Sequence, residues 1–388
     1  MNGACLAKNT NLHEQNQHAS FIRHFNNNFV RMKRKLFLNL CLLTLFVFPV
    51  FGHGDKIGGH SKISDGSKEN FGLFEDDKLI DITLRFDLTS YFRTKPKEEY
   101  LKANITFHLS ETDSINSDIR LKTRGVFRNR YCHFAPIELN FKKADFGYTD
   151  LNKISKIKLV PECNSGGLNE TYVLREYLIY KLFNVLTDTS FRVRLVRINY
   201  LDTQNKKKPI TQFGFFIEPV EMLAARANYI QIKSRNLTQK NITPKVMDRL
   251  AIFNYMVGNY DWSIPGQHNV KVFRPLIFDT LMYGIAIPYD FDWTGLVNAS
   301  YAVPAENVGT ESVRERVFTG ICRSKEVFLK DLDGFLVKKE EFYRVINEFP
   351  YLNQREKRDI IMYLDDFYRM LVGRMDIMNI LLYNCKKI

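Results

Sequence analysis

"GNYDWSIPGQHNVKVF", residues 258–273, sets an acid, a histidine and an asparagine in one loop between apolar stretches. Upstream, "TPKVMDRLAIFNYMVGN" (243–259) predicts a helix, with Thr243 as its cap and Pro244 at its first position. The helix ends at Gly258–Asn259, Asp261 begins the loop, and Asn269 opens the short strand "NVKVF". A second strand, "YGIAIP" (283–288), leads into "IPYDFDWTG" (287–295) and delivers Asp290 at its end. Two adjacent strands joined by a turn bring Asn269 and Asp290 to one end of a hairpin. A carboxylate and an amide oxygen there form a hard-oxygen site suited to Mg²⁺ or Mn²⁺. Mg²⁺ also takes phosphate oxygens, because protein ligands alone rarely complete its shell. Alternation puts Asp292 on the same face as Asp290, as a further metal ligand or a supporting acid. Asp261 is placed to accept a proton from an attacking hydroxyl. His268 reads as a hydrogen-bonded loop residue.

Working outward, "LIDITLRFDL" (79–88), "ANITFHL" (103–109) and "SDIRLKTRGVF" (117–127) alternate apolar and polar residues and read as strands. "APIELNFKK" (135–143) and "KISKIKLVP" (153–161) continue the sheet. "NETYVLREYLIYKLFNVLTD" (169–188) has helical spacing, with Asn169 as a candidate cap. "FRVRLVRINYLD" (191–202) and "TQFGFFIEPV" (211–220) are strands again, turning at Lys206 to Pro209. The last third is helical, notably 354–373, whose apolar residues fall on one side. This order predicts an α+β chain of two lobes. An antiparallel sheet N-lobe with one helix would span 78–220, and a mostly helical C-lobe 221–388.

The acid–amide–acid order downstream of a strand lysine and a helix acid follows the logic of phosphoryl transfer. A base Asp is followed by a metal-binding Asn, then by a metal-binding Asp after a strand pair. The strand lysine for nucleotide phosphates would be Lys158 on "KIKLVP", or Lys156 on the same strand face. Glu176, on the next helix, would orient it. On these residues the chain resembles the CotH kinase family, the spore-coat-H-like atypical protein kinases, in an exported bacterial branch. The likeness spans about residues 115–300 and is concentrated in 258–295; "RLKTRGVFRN" (120–129) is similar to that family's Arg-Gly segment. The resemblance implies a bilobal protein-kinase-like fold and transfer of phosphate from ATP to protein Ser or Thr. It implies Asp261 as base, with Asn269 and Asp290 on the metal. Two departures stand out. Asn269 lies eight positions after Asp261 where ordinary kinase loops use five, and there is no GxGxxG loop.

Residues 32–52, "MKRKLFLNLCLLTLFVFPVFG", join a basic cluster to an apolar run of 16 residues and predict a signal peptide. Residues 1–31 read as an upstream extension and 53–77 as a flexible linker. The protein is therefore expected outside the cytoplasm, in the periplasm or at the cell surface, touching membrane only through an uncleaved signal segment. Cys132, Cys163, Cys322 and Cys385 remain after export, and Cys132–Cys163 is the favoured bridge. The first 52 residues hold a net +5 of the chain's +13. A basic body suits anionic partners, but no nucleic-acid motif is present. The expected partners are a nucleotide and a protein acceptor. The alternative, from a different class, is a non-catalytic envelope or surface scaffold.

Overall fold

The computed structural model describes residues 70–164, 166–277, 283–304 and 309–387, all within one compact unit, Asp65–Ile388. The expected signal segment and the 1–31 extension lie outside the described residues. Part of the stretch read as linker is packed: Leu73 and Phe74 are buried, and the Phe71 and Gly72 amides donate to the Asp150 carboxylate.

Seven strands form the first layer: β1 (Ile80–Phe86), β2 (Leu101–His108), β3 (Ser114–Thr123), β4 (Ile137–Asn140), β5 (Lys156–Pro161), β6 (Val193–Asp202) and β7 (Ile210–Ile217). Alternation decides what each strand buries. In β1, Ile82, Leu84 and Phe86 point inward, and they meet Ile105, Phe107, Leu121, Leu139, Leu159, Ile198 and Phe216 from the other strands. Here the structure corrects the expected antiparallel N-lobe sheet of a bilobal kinase-like fold. The order β1-β2-β3-β4-β5-β7-β6 is a closed barrel, sealed by a parallel pairing of β1 with β6 that sets Ile80 against Val196 and Phe86 against Asp202. Alternation reveals which face of a strand is buried but not which distant strand will pair with it. Closure leaves no free edge on this sheet.

Three short helices interrupt the barrel: α1 (Leu88–Thr94), α2 (Phe127–Tyr131) and α3 (Thr149–Asn152). The long helix α4 (Gly167–Leu186) lies outside it. The predicted Asn169 cap is not used; Gly166 precedes the first turn. Residues 173–180 of α4 are buried on every side, which is the mark of a helix sandwiched between two layers. Tyr180 packs edge-on against Phe215 of β7 at 5.6 Å, and Phe183 meets Phe253 of the helical half at 4.8 Å. Val160, Val193, Leu195, Phe215 and Ile217 of the barrel share one core with the helices, so the two halves are not separable lobes.

The remainder comprises α5 (Val220–Ala227), β8 (Tyr229–Ile232), α6 (Pro244–Val257), β9 (Val270–Pro275), β10 (Ile285–Pro288) and helices α7 (Lys325–Val337), α8 (Lys339–Glu348), α9 (Gln354–Gly373) and α10 (Met375–Asn384). β8, β9 and β10 form a second sheet, order β10-β9-β8. The helix expected over 354–373 is α9. Both disulfides are formed, Cys132–Cys163 as favoured and Cys322–Cys385. Among the described residues no helix is long and apolar enough to cross a membrane.

Candidate functional site

The site begins where α6 stops. Gly258 takes a left-handed φ of 68° and its amide caps the helix. A side chain there would be driven into the Tyr363 hydroxyl and would crowd the Gly295 backbone. Asn259, buried, donates from its amide nitrogen to Asn254 Oδ1 at 3.0 Å and accepts from the Asp261 amide at 3.0 Å. Ser263 and His268 then exchange two backbone hydrogen bonds of 3.0 Å each. That bridge folds the loop back on itself, so Asp261 faces Asn269 despite the eight-residue spacing. Asn269 donates from Nδ2 to the Asp261 carbonyl at 2.8 Å and to Asp261 Oδ2 at 2.9 Å, leaving its amide oxygen as the atom for a ligand. His268 Nε2 lies 2.7 Å from Asp261 Oδ1. The Asp261 contact raises the imidazole's pKa, favouring its charged form.

The hairpin does what its sequence predicts. Val270 of β9 opposes Pro288 of β10, and the Tyr289 amide donates to the Asn269 carbonyl at 3.0 Å, so Asn269 and Asp290 leave the same end. Both adopt a left-handed backbone, φ 49° and 66°. Asn and Asp are the non-glycine residues that adopt that region most readily. The Asp290 amide donates to the Tyr180 hydroxyl at 2.8 Å, fixing the strand end to α4.

Glu176, Asp290 and Asp292 converge there, each offering an oxygen within 4.8 Å of the others. Glu176 and Asp292 are buried. Burial, then the Asp290 charge, push the Asp292 carboxyl up to about 7; Arg128 and the Tyr301 hydroxyl pull it back. Burial likewise holds Glu176 well above the usual carboxylate range, with Arg128 opposing. Three carboxylates this close cannot all ionise without a cation. Glu176 Oε1 is buried with no hydrogen-bond partner. That orphaned oxygen and the donor set fit a small divalent ion with oxygen ligands.

The arrangement departs from the predicted one at the basic residues. Glu176 pairs with Arg128 of α2, Oε2 to Nη1 at 3.3 Å, and not with Lys158. Arg128 is buried and also donates from Nη2 to the Pro161 carbonyl at 2.8 Å. Burial alone would lower its pKa, but Tyr301, Asp292, Glu176 and Asp290 reverse that and hold it charged. Lys158, on the outer face of β5, is half-buried with its ammonium 4.9 Å from the Tyr289 ring. Burial, with the charges of Arg124 and Lys271, lowers its pKa to about 7, and Asp290 opposes this. Lys156 is drawn away: it pairs with Glu138 at 3.2 Å and lies 5.9 Å from the Tyr100 ring. Sequence reasoning missed Arg128, Tyr301, Tyr180 and the Asn254–Asn259 pair. The cysteine one turn beyond Arg128 was the signal available for the first.

A pocket of about 350 Å³ opens over this cluster. Asp261, His268, Asn269, Asp290 and Asp292 line one side. Arg124, Gly125, Val126 and Phe127 of the Arg-Gly segment line the other, with Trp293. Phe127 is edge-on to Trp293 at 5.0 Å and stacked on Tyr131 at 5.4 Å, giving the mouth an aromatic rim.

No protein-family model matches the chain and no curated protein matches it, so the CotH resemblance rests on the quoted residues alone. Among solved structures, the crystal structure of the Helicobacter pylori proinflammatory kinase CtkA is a distant neighbour. Its TM-score is 0.34 at 9% identity, covering 71% of this chain and 90% of that one.

Proposed function

We propose that the chain is an exported, Mg²⁺-dependent phosphotransferase that moves a phosphoryl group from ATP to a protein serine or threonine. The observation behind this reading is the convergence of Glu176, Asp290 and Asp292 within 4.8 Å, beside Asp261 and Asn269. Asp290, Asp292 and the Asn269 amide oxygen would hold the ion, with Glu176 completing the charge. When bound, the ion neutralises phosphate oxygens and lowers the cost of gathering negative charge. Lys158 would hold the nucleotide phosphates. Asp261, oriented by His268 and Asn269, would take the acceptor's proton as its oxygen bonds to phosphorus and the bond to ADP breaks. The Phe127–Trp293 rim would shield the exchange from water. Two disulfides are consistent with export, to the periplasm or cell surface.

The capture of Glu176 by Arg128 favours a second reading, a binding scaffold that keeps the pocket without turnover. Thermal unfolding with Mg²⁺ and ATP tests the first. Ligand at a hundred times its dissociation constant adds ~2.7 kcal/mol of stability, and labelled phosphate should then appear on an added protein acceptor. Nucleotide binding without transfer would select the scaffold. No shift at millimolar Mg²⁺ and ATP would remove the nucleotide site.

A further inference from the structure

Arg128 is the only buried residue of the five in α2, and the helix has no side-chain cap. Val126 and Tyr131, at its two ends, are 65% and 51% exposed. A five-residue helix does not hold itself together, and this one has little apolar core beneath it. Phe127 and Tyr131 pack only at the pocket mouth, on Trp293 and Tyr301, and the covalent anchor follows directly. Cys132, which ends α2, donates its amide to the Arg128 carbonyl at 2.9 Å and is bonded to Cys163, just beyond β5. Pro161, the last residue of β5, supplies the carbonyl that receives Arg128 Nη2, and the Phe134 amide donates to the Cys163 carbonyl at 2.9 Å. The bridge therefore fixes both the helix that carries Arg128 and the backbone that orients its guanidinium.

We propose that the Cys132–Cys163 disulfide is a positioning device: it keeps Arg128 inserted beside Glu176, Asp290 and Asp292 as their resident counter-cation. Arg128 and a divalent ion then compete for the same negative charge, since like charges near one cluster repel. The second bridge, Cys322–Cys385, ties the C-terminal end of the chain to the 320s segment, where Ile321 pairs with Lys386. It contacts none of these groups. The effect on metal affinity rests on the functional reading above; the positioning of α2 does not.

The test uses the full chain and Mg²⁺ alone, titrated by calorimetry without nucleotide. Arg128→Met and the paired change Cys132→Ser with Cys163→Ser should each tighten Mg²⁺ binding about tenfold. Combining all three should give no more than either, because they remove the same cation. Cys322→Ser with Cys385→Ser should bind as the native chain does. General loosening of the site would weaken binding, so tighter binding separates positioning from mere support. A second readout does not depend on the metal. The chain has two tryptophans, Trp262 and Trp293, and in a Trp262→Phe background the emission reports on Trp293 against Phe127. Opening the first bridge should shift that emission to the red, and opening the second should not. If Cys132→Ser with Cys163→Ser does not fold, Cys132→Ala with Cys163→Val keeps the buried volume and is measured instead. Native emission and native Mg²⁺ affinity in the opened protein would overturn the proposal. If even the native chain takes up no Mg²⁺, the metal reading falls, and Trp293 emission alone decides the positioning: a red shift upholds it and native emission overturns it.

Discussion

Lys158 and Lys271 share one aromatic ring: their ammonium groups lie 4.9 Å and 5.0 Å from the centroid of Tyr289. Burial makes charge on Lys158 costly, and the repulsion of Arg124 and then of Lys271 adds to it, so its pKa is lowered to about 7. Bound phosphates favour the charged form and raise it again. Nucleotide binding should then take up a proton near pH 7, and affinity should fall as pH rises above 7, by up to about tenfold per pH unit. Calorimetry in buffers of different ionisation enthalpy measures that proton. Lys158→Met should abolish the uptake and weaken binding. Equal heats in all buffers would remove Lys158 from the phosphate site.

Asp292 gives a dependence of the same sign, in stability. Its carboxyl is pushed up to about 7 in the folded chain, against 3.8 ordinarily. Between those values the folded state binds the extra proton, so this contribution is full below about pH 4. It is lost as pH rises through 7. Asp292→Asn does not titrate. Without metal it should exceed the native chain by roughly 2–4 kcal/mol at pH 8 and match it near pH 4. Denaturant melts at the two pH values decide it, and equal stability at pH 8 would mean that the buried Asp292 carries its charge without cost to the fold.

Some of this site is legible in the sequence and some is not, for physical reasons. Asn269 and Asp290 flank two short strands about a turn, and hairpin geometry alone brings such ends together. The twenty residues of α9 announce themselves because one side must be apolar to pack. Arg128 is different. Arg124, Arg128 and Arg130 crowd one segment, and no period separates the one turned inward from its neighbours. The Cys132–Cys163 bridge pins that segment beside β5, so the favoured pairing carried more information about the site than its spacing suggests. Barrel closure was hidden for a related reason. β1 and β6 meet across more than a hundred residues, and alternation records faces without naming partners.

Asp261 accepts from His268 and Asn269 through different oxygens, which fixes the carboxylate plane. Asp261→Asn keeps the shape and removes the proton acceptor. Phosphoryl transfer should fall about 10²–10⁴-fold, the range for loss of a general base, with Mg²⁺-nucleotide affinity changed less than threefold. Single-turnover transfer and equilibrium binding separate the two. An equal loss in both would make Asp261 a binding group.

The left-handed backbone of Asp290 dictates how its role should be tested. Alanine at φ 66° adds roughly 1–2 kcal/mol of strain, so lost activity in Asp290→Ala would mix a strained hairpin with a missing ligand. Asparagine tolerates that region, keeps the volume and drops the charge. Removing one of three crowded carboxylates also relieves repulsion with Asp292. Asp290→Asn should therefore melt at or above the native temperature without metal, yet lose the stabilisation that Mg²⁺ and ATP give the native chain. Asp290→Ala should lose both. Asp290→Asn with native ligand stabilisation would show that the ion, if held at all, is held without Asp290, and the site would have to be rebuilt around Glu176 and Asp292.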